Sequence, residues 1–198
     1  MANHVFSRST ITHSEPAEIE KLGKLLESWS DKDDYGLISY LLDQEVSSES
    51  VDREVMTDAI GAKWMTVDEL EVMDDEIVLM TTTAWGYPSE LWENLEVKGF
   101  SIDANYEDEM PNFFGTYSTD DGDDFVDTTP LYDAISETAE NFESDIKETS
   151  DYNNAMYEEC VDAAIKAMGE DMNEFNKETL EGLVERYLEF NDHYIENE

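Results

Sequence analysis

The sequence predicts an α+β fold, and three observations carry the prediction. Five stretches alternate or are rich in β-branched and aromatic residues: HVFSRSTIT (4–12), IGAKWMTV (60–67), EIVLMTTTAW (76–85), FSIDANYE (100–107) and NFFGTYST (112–119). Two amphipathic stretches lie among them, EPAEIEKLGKLLESW and PSELWENLEVK. The last third of the chain is helical in pattern and heavily acidic. The order β-α-β-β-α-β plus one strand is the split βαβ, or ferredoxin-like, plan, an antiparallel sheet with two packed helices. An acidic C-terminal helical extension follows. The expected organisation is a ferredoxin-like domain over 1–128 with an insertion at 30–58, and a three-helix extension over 129–198.

The elements follow from local chemistry. In 4–12, Val5, Ser7, Ser9 and Ile11 share one side and Phe6, Arg8, Thr10 and Thr12 the other. Ser14 is placed to cap the first helix, with Glu15 and Pro16 in its first turn. Ile19, Leu22, Leu25, Leu26 and Trp29 give that helix an apolar face. Residues 30–58 are mixed and read as an insertion with one helical piece, LISYLLDQ. Pro88 opens the second helix, whose Leu91, Trp92 and Leu95 face inward. Trp64 and Trp85 are expected to pack the sheet against its helices. DDGDDFVDTTP (120–130) reads as a turn and a boundary, and three helices are predicted near 131–148, 152–168 and 176–196.

Charge is the dominant feature. The 198 residues carry 51 acids against 11 bases, a net charge of -40. Residues 101–198 alone hold 29 acids and 4 bases. With aromatics at 11%, the chain differs from an acidic disordered tail, which is usually poor in them. Such a charge repels nucleic acid and anionic membrane and attracts basic surfaces. MANHVFSRST has no apolar signal-like core, no run approaches a membrane span, and Cys160 is the sole cysteine. A cytoplasmic location is expected.

Residues 1–119 resemble the YubB ferredoxin-like family. The resemblance rests on Asn3 beside the first strand, Gly61-Ala62-Lys63-Trp64, Thr83-Ala84-Trp85 with Pro88 three residues on, and Gly115-Thr116-Tyr117. These are small proteins carried mainly on bacteriophages and plasmids, many without an assigned activity. The resemblance implies the fold and a phage or plasmid setting in a bacterial cell, and no catalytic residues.

Motifs for chemistry are sparse. His4, His13 and His193 are isolated, without HExxH or a cysteine pair, and no phosphate loop or GxGxxG is present. Ser144-Asp145-Ile146-Lys147 matches S-x-x-K without its companion motifs. Asp120-Asp121-Gly122-Asp123-Asp124 lacks the spacing of a calcium loop. Neither an enzyme nor a cofactor or metal is expected. Phe113-Phe114 and Trp85-Tyr87 resemble base-stacking pairs, but the basic groove that would accompany them is absent.

The acids are patterned. Glu178, Glu181, Glu185, Glu189, Asp192 and Glu196 recur every three or four residues, with Arg186 the only base among them. Like charges so spaced repel by roughly 0.2–0.5 kcal/mol per pair. A second predicted helix sets Leu131, Ile135, Phe142 and Ile146 inside, with Asp133, Glu137 and Glu140 elsewhere. A solvated helix face is the plainest account, though ordinary surfaces intersperse both signs. Proteome-wide adaptation to high salt usually favours Arg, whereas this chain has eight Lys and three Arg. Mimicry of nucleic acid remains. Carboxylates one turn apart sit about 5–6 Å from each other, comparable to phosphates along one strand. The expected partner is a basic nucleic-acid-binding host protein, such as a CRISPR complex, restriction enzyme or other nuclease. The protein itself is not expected to bind nucleic acid. The expected contact residues are the six acids from Glu178 to Glu196, with Asp120, Asp121, Asp123, Asp124, Asp133, Glu137 and Glu140. An acidic adaptor that binds a basic protein without mimicry is the alternative.

Overall fold

The structure is a computed structural model that describes residues 3–29, 35–109, 112–146, 149–168 and 177–191. It divides into two compact units, one of residues 1–109 and 114–126, the other of 110–113 and 127–198.

The first unit is an α+β layer. Strands β1 (His4–Thr12), β2 (Lys63–Val72), β3 (Glu76–Ala84), β4 (Ser101–Asp108), β5 (Phe113–Ser118) and β6 (Gly122–Asp127) form one sheet in the order β2-β3-β1-β4-β5-β6. The paired strands β1–β3, β1–β4, β2–β3 and β4–β5 are antiparallel. Helices α1 (Pro16–Ser28) and α4 (Ser89–Val97) bury Ile19, Leu22 and Leu26, and Leu91, Trp92 and Leu95. The sheet contributes Val5, Ile11, Ile77, Leu79, Ile102 and Ala104 to the core. The two polar residues that alternation turns inward on β1 are satisfied there. Ser7 Oγ lies 2.7 Å from Thr81 Oγ1, and the Trp92 indole N–H donates to Ser9 Oγ at 3.0 Å.

Several expectations are corrected. The insertion holds two helices rather than one, α2 (Gly36–Leu42) and α3 (Arg53–Ile60), so among the described residues the first unit has four helices. Asp52 caps α3 by accepting the N–H groups of Glu54 and Val55. Ser14 does not cap α1; its N-cap is Glu15, which makes no side-chain capping bond. Within 120–130 the turn is confined to 120–121 and the boundary between the units falls after Val126, but residues 122–127 form a sixth strand beyond the five expected. Trp64 and Trp85 do not pack sheet against helix, being 69% and 63% exposed.

The second unit packs α5 (Thr129–Asn141), α6 (Thr149–Met168) and α7 (Lys177–Phe190) against one another. Leu131, Ile135, Met156, Cys160, Ala164, Leu180, Leu183, Val184 and Leu188 form its core, and Tyr132 stacks on Tyr187 with ring centroids 4.9 Å apart. Helix α5 ends at Asn141, seven residues before the predicted end, so Ile146 is exposed rather than inside. Glu140, Glu143 and Asp145 would crowd negative charge onto the carbonyl end of a longer helix, where it is unfavourable. Phe142 instead leaves in an extended conformation and packs edge-on against Tyr152. Among the described residues no helix is long and apolar enough to cross a membrane.

Candidate functional site

The acids singled out from sequence fall into three places. Asp120 and Asp121 lie in the turn between β5 and β6, and Asp123 and Asp124 on β6; all four are exposed. Asp133, Glu137 and Glu140 are exposed along α5 at helical spacing. On α7, Glu185 and Glu189 are exposed and Glu181 is half-buried. The side chain of Glu178, and all of Asp192 and Glu196, lie outside the described residues. The described part of the row thus runs from Glu181 to Glu189, about 12 Å at 1.5 Å per residue. The sequence had drawn six carboxylates over about 27 Å at the same rise.

Asp123 has a structural task. The hydroxyls of Tyr87 and Tyr106 donate to its two carboxylate oxygens at 2.6 and 2.5 Å, and the two rings stack 3.9 Å apart. Burial, with Asp123 next, pushes the Tyr87 hydroxyl up to about 12, and burial with Asp123 raises Tyr106 further. Gly115 makes the arrangement sterically feasible. A Cβ there would collide with the Tyr106 hydroxyl and lie 2.5 Å from the Asp124 carbonyl oxygen. Asp123 is therefore committed to the fold, while Asp120, Asp121 and Asp124 face solvent.

Between α6 and α7 the second unit has a polar groove of about 570 Å³, lined by Asn154, Tyr157, Glu158, Val161, Asp162 and Glu181. Among the described lining residues the charged ones are all acids. The Tyr157 hydroxyl donates to the Glu181 backbone carbonyl at a long 3.5 Å. The raised Tyr157 hydroxyl follows first from burial, with the carboxylates of Glu181 and Glu185 adding to it. Such a groove can accept the ammonium or guanidinium groups of a basic partner through charge-assisted hydrogen bonds. Sequence reading missed Glu158 and Asp162. They are i,i+4 on α6, and that spacing was the available signal.

Among the described residues no group of three or more His, Cys, Asp or Glu side chains is arranged to hold a metal ion. His4 Nδ1 is 2.7 Å from Glu109 on the surface, a bond that holds the Glu109 carboxyl below its ordinary range. Cys160 is buried, and that burial pushes its thiol up to about 11, the opposite of an activated nucleophile. Trp64 and Trp85, placed in the core by sequence reading, are both exposed. No protein-family model, no curated protein and no solved structure matches this chain.

Proposed function

We propose that the protein is an acidic mimic of nucleic acid, of the kind a phage or plasmid uses to occupy the DNA- or RNA-binding surface of a host defence protein. The contact surface is the α5–α7 unit. The observation that carries the reading is the α6–α7 groove, whose described charged lining residues are Glu158, Asp162 and Glu181, beside a face that exposes Glu185 and Glu189. Carboxylates there stand in for phosphates, and Lys and Arg of the partner pair with them. The partner classes that suit this are a CRISPR complex, a restriction enzyme or another nuclease, whose nucleic-acid channels are positively charged.

The first unit is, on this proposal, a ferredoxin-like scaffold. The order β2-β3-β1-β4 with α1 and α4 as crossovers supports that reading, and β5 and β6 extend the sheet. The alternative is an adaptor that grips a basic protein without imitating DNA. One observation favours it: the groove acids come from two helices and do not form a single row.

Competition separates the two. The protein is immobilised, exposed to nuclease-treated bacterial lysate, and washed with increasing duplex DNA or RNA. A mimic captures a nucleic-acid-binding protein and releases it to excess nucleic acid. Retention of the partner at saturating nucleic acid would overturn mimicry in favour of the adaptor.

A further inference from the structure

The first unit has a second notable surface, opposite in character to the acidic helices. Trp64 and Trp85 are large apolar side chains left in water, and both have left-handed backbones, with φ of 54° and 74°. Bulky residues rarely adopt that conformation, and such strain clusters at ligand sites. Trp64 sits where the β2–β3 register shifts between Lys63 and Thr66, the kind of irregularity that re-aims a side chain. Trp85 is held at the end of β3 by its N–H, which donates to the Asn3 carbonyl at 3.0 Å. Lys63, paired with Ala84 across the strands, places its ammonium 5.1 Å from the centre of the Trp85 ring.

Trp64 and Lys63 line a pocket of about 550 Å³ between α3 and the start of β2. That volume is within the roughly 300–1,000 Å³ of small-molecule sites. Val51, Met56, Ala62 and Trp64 give it apolar walls, and Arg53 and Lys63 bring positive charge to it. Among the described lining residues Asp52 is the only acid, and one of its carboxylate oxygens already accepts the N–H groups of Glu54 and Val55. Acids outnumber bases 51 to 11 in this chain, yet among the described lining residues here bases outnumber acids two to one. Gly61 fixes the geometry. It ends α3 at φ 83°, and a Cβ there would lie 2.8 Å from the Glu90 backbone nitrogen.

We infer that this pocket binds a small flat aromatic ligand carrying one acidic group. The ring lies against Trp64 and Met56, and the acid meets Arg53 and Lys63. The site rests on none of the acidic helices, so it stands or falls separately from the proposed function.

Two matched dyes test it on the full chain. 1-Anilinonaphthalene-8-sulfonate has the ring and the acid; N-phenyl-1-naphthylamine has the same rings without the sulfonate. The sulfonate dye is expected to bind with one-to-one stoichiometry. The double variant Arg53→Gln with Lys63→Gln should weaken it at least fivefold and change the neutral dye less than twofold. Trp64→Ala should weaken both dyes at least fivefold. No saturable binding of the sulfonate dye, a smaller loss in the double variant, or unchanged binding in Trp64→Ala would overturn the site. If the double variant loses its circular-dichroism signal, Arg53→Gln alone, at an exposed position, is held to the same fivefold threshold.

Discussion

Asp123 in the first unit and Glu185 in the second are both exposed acids in acid-rich stretches, and the fold uses them differently. Asp123 is gripped by two stacked tyrosines. Other acids of the first unit are similarly employed: Glu18 accepts from Lys21 and Tyr40, Asp68 from Thr66 and Thr82, and Asp43 pairs with Lys98 at 2.8 Å. The second unit is held by other means, an apolar core and the Tyr132–Tyr187 and Phe142–Tyr152 contacts. Asp127 accepts the Thr129 N–H at the start of α5, but the described acids singled out on α5, α6 and α7 line the groove or face water. Equal charge density in sequence therefore conceals two kinds of carboxylate, one serving the fold and one presented outward.

The largest effect should come from bringing charge into the second unit's core. Leu183 is 2% exposed on α7. Leu183→Asp places an unpaired carboxylate among apolar neighbours, at a cost on the order of several kcal/mol. Helix signal and partner binding should both fall, as circular dichroism and binding assays would read. A variant that keeps its full helix signal would mean the α5–α7 core does not hold this unit together.

The next effect tests the employed carboxylate. Asp123→Ala removes the carboxylate that accepts from two tyrosine hydroxyls and should cost about 1–3 kcal/mol, read by denaturant melts. Gly115→Ala should cost a similar amount by overpacking against Tyr106, about 1–3 kcal/mol. The pH dependence has a definite sign. Tyr87 keeps its proton in the folded state up to about 12, whereas an unfolded tyrosine releases it near 10. Its contribution is complete below pH 10 and is lost as pH rises from 10 towards 12. Tyr87→Phe with Tyr106→Phe should flatten that alkaline decline. The same decline in parent and variant would show that the cluster is not its source.

How much of this was legible in the sequence differs by element. The first five strands and helices α1 and α4 were, because period-two and period-3.6 patterns are local. β6 was hidden because GDDFVD has almost no apolar alternation; its acids read as a loop, and its pairing is supplied by β5. Trp64 and Trp85 misled because a tryptophan beside a strand is usually buried, whereas both are exposed here on left-handed backbones, Trp64 also at a register shift. The tyrosine grip on Asp123 joins residues 17 and 36 positions away, and no spacing rule reaches so far. On α7 the period did identify Glu181, Glu185 and Glu189 as a face apart from Leu183, Val184 and Leu188.

Salt should have a moderate effect, and it sharpens the comparison. A net charge of -40 repels itself, and 0.5 M salt shortens the Debye length well below the roughly 10 Å at 0.1 M. Raising NaCl from 20 to 500 mM should lift the melting temperature by about 4 °C, near 1 kcal/mol for a chain of this size. Hydrogen exchange at the two salt concentrations should show α5–α7 gaining more protection than the sheet. Equal gains in both units would remove the distinction between employed and presented acids.

The smallest effect on stability should come from the most informative variant, Glu181→Gln with Glu185→Gln and Glu189→Gln. Gln keeps the size and helix propensity of Glu and removes the charge. The like-charge pairs at i,i+4 disappear, so the melting temperature should hold or rise by the equivalent of a few tenths of a kcal/mol. The Tyr157 hydroxyl, which Glu181 and Glu185 hold up behind burial, should titrate at lower pH in the variant. That readout confirms the field has changed without any partner. Partner binding should weaken by about 1 kcal/mol for each charge-assisted pair lost, and its dependence on salt should flatten. A variant with shifted Tyr157 titration and parental affinity at every salt concentration would place the partner elsewhere. Asp120, Asp121 and Asp124, exposed beside the tyrosine-held Asp123, would then be the acids to change.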